Sequence, residues 1–86
     1  MLGSELQYRT HGGAELDLIL RAEGKLFGFE FKVTEKPAVT HSMTVVQKDL
    51  GLDKVYLLYP GELSFPLRDG MWAIGYQQLP QFSLGS

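Results

Sequence analysis

Cysteine is absent from the 86 residues, and histidine occurs only as His11 and His41. The first absence excludes a disulfide framework and a thiolate zinc centre, and it agrees with a reducing, cytoplasmic compartment. Two imidazoles are too few for a structural zinc site. Long apolar runs are also missing. None approaches the roughly 18 residues of a membrane span, and Met1-Leu2-Gly3-Ser4-Glu5 has neither the basic nor the apolar region of a secretory signal. A surplus of positive charge is lacking too: 8 Lys and Arg stand against 10 Asp and Glu, a formal charge of −2. The field of the whole molecule therefore does not attract phosphate, and a nucleic-acid role requires a local basic patch or a bound cation.

What remains, 44% hydrophobic and 21% charged residues without repeats or low-complexity tracts, describes a soluble globular chain with no membrane partner. Residues 1–86 hold one domain, because a second core does not fit this length. A domain this small buries only about 60% of its unfolded surface, so a metal, a partner or a second copy would add needed stability.

Closely spaced Gly-Gly, Glu-Gly, Pro-Gly and Asp-Gly pairs predict short strands. A first strand spans Leu6 to Thr10, a bend at His11-Gly12-Gly13 follows, and a second strand spans Ala14 to Arg21. Glu23-Gly24 turns the chain into a third strand, Leu26 to Val33. The hydrophobic pattern sets the register of this second hairpin, since a one-residue slip would reverse every side chain. Leu16 then faces Phe31, Leu18 faces Phe29 and Leu20 faces Phe27, which makes an apolar core face. On the other side Glu15 faces Lys32, Asp17 faces Glu30 and Ile19 faces Gly28. The first strand, joined through a bulge, adds Gln7 and Arg9 to the charged side.

Pro37 suits a first helical position, and Val39, Met43, Val46 and Leu50 form one stripe of a helix that Gly51 ends. Lys54 to Tyr59 is apolar on both faces, as in an interior strand reached by a crossover and lying parallel to its neighbour. Leu63 to Leu67 and Met71 to Tyr76 read as a terminal hairpin around Arg68-Asp69-Gly70, of undetermined place in the sheet. Beyond Gln77 the chain is polar and is expected to fray. The expected architecture is α/β (α+β): a mixed sheet of four to six strands with one principal helix on the Leu/Phe face.

Asp17 beside Glu30 is a like-charge pair that needs neutralising by a proton or a cation. Hard oxygen donors without sulfur suit Mg²⁺ or Mn²⁺. Lys32 shares a face with Glu30 by strand alternation and adds a fixed positive charge. Such a set suits phosphodiester hydrolysis. The bland reading of the same residues is a solvated outer face on which Glu15 and Lys32, or Glu15 and Arg9, form an ion pair of little energetic value. His11 reads as a turn residue and His41 as an exposed one. Arg9, Arg21, Lys25, Lys32 and Lys36 are candidates to flank a phosphate backbone, whereas Tyr56, Tyr59, Phe65 and Trp72 read as packing residues.

At Asp17 and at Glu30-Phe31-Lys32 the sequence resembles the PD-(D/E)XK, or restriction-endonuclease-like, nuclease superfamily. The run from Tyr8 to Asp17, Phe29-Glu30-Phe31-Lys32, Gly51-Leu52 and Tyr59-Pro60-Gly61 resemble more closely the C-terminal nuclease-like domain of uncharacterised prokaryotic AAA-type ATPases. The likeness covers about residues 6–80. It implies a restriction-endonuclease-like core, here lacking the usual N-terminal helix, and a metal held by Asp17, Glu30 and the carbonyl of Phe31, with Lys32 acting on water or phosphate. Glu15 and Arg9 are additional candidates. The implied function is a Mg-dependent endonuclease-like domain that acts on or binds DNA. An ATPase domain would accompany it if the chain is a fragment, since no Gly-x4-Gly-Lys-Ser/Thr loop occurs in these residues. A non-catalytic interaction or assembly module, a homodimer that keeps the fold, is the alternative.

Overall fold

The computed structural model describes residues 5–9 and 15–84. Among the described residues six strands form one mixed sheet: β1 (Glu5–Arg9), β2 (Glu15–Ala22), β3 (Lys25–Phe31), β4 (Lys54–Tyr59), β5 (Ser64–Arg68) and β6 (Met71–Gly75). Their order across the sheet is β1-β2-β3-β4-β6-β5. One helix, α1 (His41–Leu50), joins β3 to β4, and a short 3-10 helix, η1 (Tyr76–Gln81), follows β6. The fold is thus a mixed α+β domain. The predicted bend at His11-Gly12-Gly13 lies outside the described residues, as do the side chains of Gln7 and Arg9.

The β2–β3 hairpin turns at Glu23 and Gly24, both in the left-handed region at φ 51° and 80°. Glycine tolerates this without strain. Leu18 pairs with Phe29, Ile19 with Gly28 and Leu20 with Phe27, as the sequence predicts. The ladder ends there, however, and the expected pairs Leu16–Phe31, Asp17–Glu30 and Glu15–Lys32 do not form part of it. On the β1 side, Leu6 pairs with Ile19 but Tyr8 pairs with Leu16, so the register shifts by one between them. This irregularity places an extra residue in β2 at Asp17–Leu18, the signature of a bulge.

The bulge breaks strict alternation, and it corrects the expected faces. Leu16 and Ile19 both enter an aliphatic cluster with Met43, Val46, Leu52, Val55, Leu57 and Met71. Leu18 and Leu20 instead border an aromatic cluster of Phe27, Phe29, Tyr56, Leu58 and Ile74. Helix α1 therefore packs on the Ile19/Gly28 side rather than on the Leu/Phe side. Gly28 makes this possible, because a Cβ there would stand 2.5 Å from the Cδ1 of Leu16 and 2.8 Å from that of Leu52.

The helix begins four residues later than the Pro37 reading predicts. Thr40 is its N-cap, with Oγ1 accepting from the Met43 N–H at 3.1 Å, and Gly51 ends it at φ 65°. Met43 and Val46 are fully buried. Strand β4 is the predicted interior strand, parallel to both β3 and β6. The terminal hairpin forms as β5 and β6, with β6 inserted beside β4.

Residues 78–84 do not fray. Phe82 stands edge-on to Tyr56 at a centroid distance of 4.8 Å, and with Leu84 it covers the aromatic cluster. The apolar signal of Phe82 and Leu84 was hidden among polar neighbours. Tyr56 and Tyr59 are buried, Trp72 is half-buried on the aromatic cluster, and Phe65 packs edge-on to Tyr59.

Candidate functional site

The carboxyl end of β3 is where the predicted site residues meet. Beyond Leu18↔Phe29 the backbones of β2 and β3 no longer pair, and the side chain of Asp17 fills the gap: its Oδ2 accepts from the Phe31 N–H at 2.8 Å. One residue later the Lys32 N–H turns the other way, to the Leu58 carbonyl of β4, at 2.8 Å. In a trans peptide the C=O points opposite to the N–H. The Phe31 carbonyl therefore points away from β4, to the side where Asp17 stands.

Glu30 and Lys32 flank Phe31 and project together on the face of Gly28, the face that carries α1. Glu30 lies alongside Leu57, a member of the aliphatic cluster. The Lys32 Nζ is 3.5 Å from the Glu30 Oε2, with the two side chains 34% and 14% exposed. So little water reaches Glu30 that burial raises its carboxyl above the ordinary 4.5, and the charge of Asp17 raises it further. Lys32, by its charge and its hydrogen bond, pulls the other way, and Glu15 adds a smaller upward push.

Asp17, Glu30, Phe31 and Lys32 are thus brought together, and Glu15 is near enough to be felt by Glu30. Lys32 pairs with Glu30, not in the cross-strand ladder with Glu15. Glu15 and Asp17 are exposed, and His41 is exposed at the start of α1. The candidate cations do not make one stripe. Arg21 and Lys25 flank the β2–β3 turn, whereas Lys32 and Lys36 lie beyond the other end of β3, about 23 Å away at the usual rise per residue.

The donor set fits a hard divalent cation in part. Two carboxylates and a backbone oxygen share this strand end, and Mg²⁺ commonly retains several waters around one or two protein carboxylates. Among the described residues no group of three or more His, Cys, Asp or Glu side chains is arranged to hold a metal. A cation here would therefore lean on Asp17, Glu30, the Phe31 carbonyl and solvent.

Sequence reasoning missed Tyr76. Its hydroxyl donates to the Lys32 carbonyl at 2.7 Å across 44 residues of chain. The only hint was an aromatic residue at the end of a strand that had no assigned place in the sheet. No helix of the described residues is long and apolar enough to cross a membrane.

Comparison with known proteins adds family but not activity. The profile of a family described as a domain of unknown function, DUF4143, matches residues 4–79. An uncharacterized protein of Mycobacterium bovis and one of Mycobacterium tuberculosis are each 40% identical to the chain over 72 residues. That stretch is 84% of this chain but 16% of either relative, so the chain spans only a small part of the relatives it matches. No solved structure matches.

Proposed function

The chain belongs to the DUF4143 family of unknown function, and from that premise we propose that it is a restriction-endonuclease-like domain that uses Mg²⁺ or Mn²⁺ to bind and cleave DNA phosphodiesters. One observation carries this reading. The Phe31 N–H is held by Asp17 of β2 and the next N–H, that of Lys32, by Leu58 of β4, while Glu30 and Lys32, on either side of Phe31, form a sheltered 3.5 Å pair. A purely solvated face has no need for a glutamate side chain only 14% exposed that also feels the charge of Asp17, an arrangement whose cost Lys32 offsets in part and a bound cation would offset further.

In this reading Asp17, Glu30 and the Phe31 carbonyl hold the cation. When bound, it supplies Lewis acidity toward a phosphate oxygen and eases deprotonation of a water. Lys32 sets an ammonium beside the charge that develops on phosphorus-bound oxygen as the bond to water forms and the ester bond breaks. Glu15 adds negative charge at the rim. In a longer polypeptide the domain would accompany an AAA-type ATPase, as the sequence resemblance implies.

The test is nicking of supercoiled plasmid. The 86-residue chain should nick it with Mg²⁺ or Mn²⁺ and stop on addition of EDTA. Asp17→Asn and Lys32→Ala should each abolish nicking while circular dichroism shows a folded domain. Metal-independent nicking, or full activity in either variant, rejects the proposal.

A second reading rests on surface apolarity at the same strand end. Phe31 is 48% exposed, Val33 92% and Tyr76 36%. As an assembly module, the domain would use these residues against a second copy or another part of its polypeptide. Sedimentation would then show a dimer that Val33→Asp disrupts and Asp17→Asn leaves intact.

A further inference from the structure

Resting on the reading of Lys32 as the charge-stabilising residue, we infer that Tyr76 is its positioning residue: from the start of η1, the Tyr76 hydroxyl holds the Lys32 carbonyl and fixes the strand end that presents the ammonium to Glu30. Lys32 is the first residue after β3. Its N–H is held by Leu58 and its carbonyl by Tyr76, at 2.8 and 2.7 Å. At the next residue support ends, for Val33 is 92% exposed and the chain continues into a turn closed by Thr34 and Lys36. Tyr76 is thus the tether at the point where the backbone leaves the sheet.

The tether is itself anchored. Gly75 N–H donates to the Leu63 carbonyl at 3.0 Å, Gln77 N–H to the Gly61 carbonyl at 3.3 Å, and Gln78 Nε2 to the Glu62 carbonyl at 2.8 Å. The backbones of Gly61 and Gly75 approach so closely that a Cβ on Gly75 would collide with the Gly61 carbonyl. Residues on both sides of Tyr76 are therefore fixed to the loop after β4. Its hydroxyl thus reaches Lys32 from an anchored backbone. Direct contact with substrate is disfavoured, because Tyr76 lines an open groove together with Glu35 and Glu62, whose carboxylates repel phosphate.

The experiment compares the 86-residue wild type with Tyr76→Phe, which removes only the hydroxyl, and with Gln77→Ala as a control in the same groove. Three readings are taken: NMR relaxation of the Lys32 and Val33 amides with the side-chain shifts of Lys32, the Mn²⁺ dissociation constant, and turnover on supercoiled plasmid. Tyr76→Phe should increase picosecond-to-nanosecond mobility at Lys32 and Val33 and shift the Lys32 side-chain signals. It should leave Mn²⁺ affinity within about twofold and lower turnover about tenfold to a hundredfold, the upper figure being the cost of displacing a reacting group by roughly 1 Å. Gln77→Ala should change none of these. Unchanged Lys32 signals in Tyr76→Phe overturn the inference. So does a parallel loss of Mn²⁺ affinity with disorder spreading to Asp17, which would make Tyr76 a general structural support. If the wild type itself nicks no DNA, the proposed nuclease falls, and the NMR readings alone still decide whether Tyr76 orders Lys32.

Discussion

The two faces of the sheet are closed by different means. On one, α1 seals an aliphatic layer in which Ile19, Met43, Val46, Val55, Leu57 and Met71 have no exposed surface. On the other, larger aromatic side chains lie under the segment that follows β6, with Phe82 and Leu84 only half-buried. Glu30 and Lys32 emerge on the first face, immediately past the aliphatic layer. The lesson is that the charged cluster owes its unusual electrostatics to that neighbour: the same packing that seals Leu57 strips water from Glu30.

Removing packing from each face in turn separates their contributions. Met43→Ala should cost about 2–5 kcal/mol, because it opens a cavity in a fully buried layer. That is a large share of the roughly 4–13 kcal/mol expected for a domain of this length. Phe82→Ala should cost less, about 1–2 kcal/mol, since the ring is half-exposed and its loss opens onto solvent. Urea denaturation of both variants checks the order, and a larger loss from Phe82→Ala would mean that the aromatic face carries the fold. Thr40→Ala comes next at about 1 kcal/mol, the usual value of an N-cap, and should also reduce helicity of α1 in hydrogen exchange.

The smallest effect is the most specific. Because the carboxyl of Glu30 is raised, by burial first and by Asp17 second, the folded state holds that proton more tightly than the unfolded chain does. Its contribution to stability is therefore fully present below the ordinary value of 4.5 and is lost as pH rises through the raised value. Glu30→Gln should shift the urea midpoint upward relative to wild type at pH 7, and the gap should close as pH approaches 4.5. A gap that is constant with pH would mean that Lys32 already balances the charge.

Much of this organisation can be read from residue order. Of the three aliphatic–aromatic pairs that set the β2–β3 register, Leu18–Phe29 and Leu20–Phe27 form while Leu16–Phe31 lies beyond the end of the ladder, and β4 follows from a run without polar interruption between Lys54 and Tyr59. Those signals are local and periodic, so they survive without tertiary information. Three features did not show. The bulge at Asp17–Leu18 substitutes a side-chain hydrogen bond to Phe31 for a backbone one, and nothing in the alternation of β2 announces it. The sequence points the helix to the Leu/Phe face because Gly28 reads as a gap, while in the fold that gap admits Leu16 and Leu52. The closing segment reads as loose because Phe82 and Leu84 lack periodicity, and Phe82 packs on Tyr56, a partner 26 residues back. For the candidate site, Asp17, Glu30 and Lys32 were legible as residue types on neighbouring strands. Tyr76 was not, since its link to Lys32 exists only through the insertion of β6 beside β4.

The proposed chemistry requires a divalent cation at the end of β3. Titrating Mn²⁺ into the ¹⁵N-labelled chain tests this with no assumption about substrate, by paramagnetic broadening of amide signals. Broadening should begin at residues 15–17 and 30–32, saturate, and vanish in Asp17→Asn, while the β2–β3 turn at Glu23–Gly24 stays sharp. Uniform broadening across exposed carboxylates such as Glu35, Glu62 and Asp69, with no preference for Asp17 and Glu30, would contradict a cation site at this strand end.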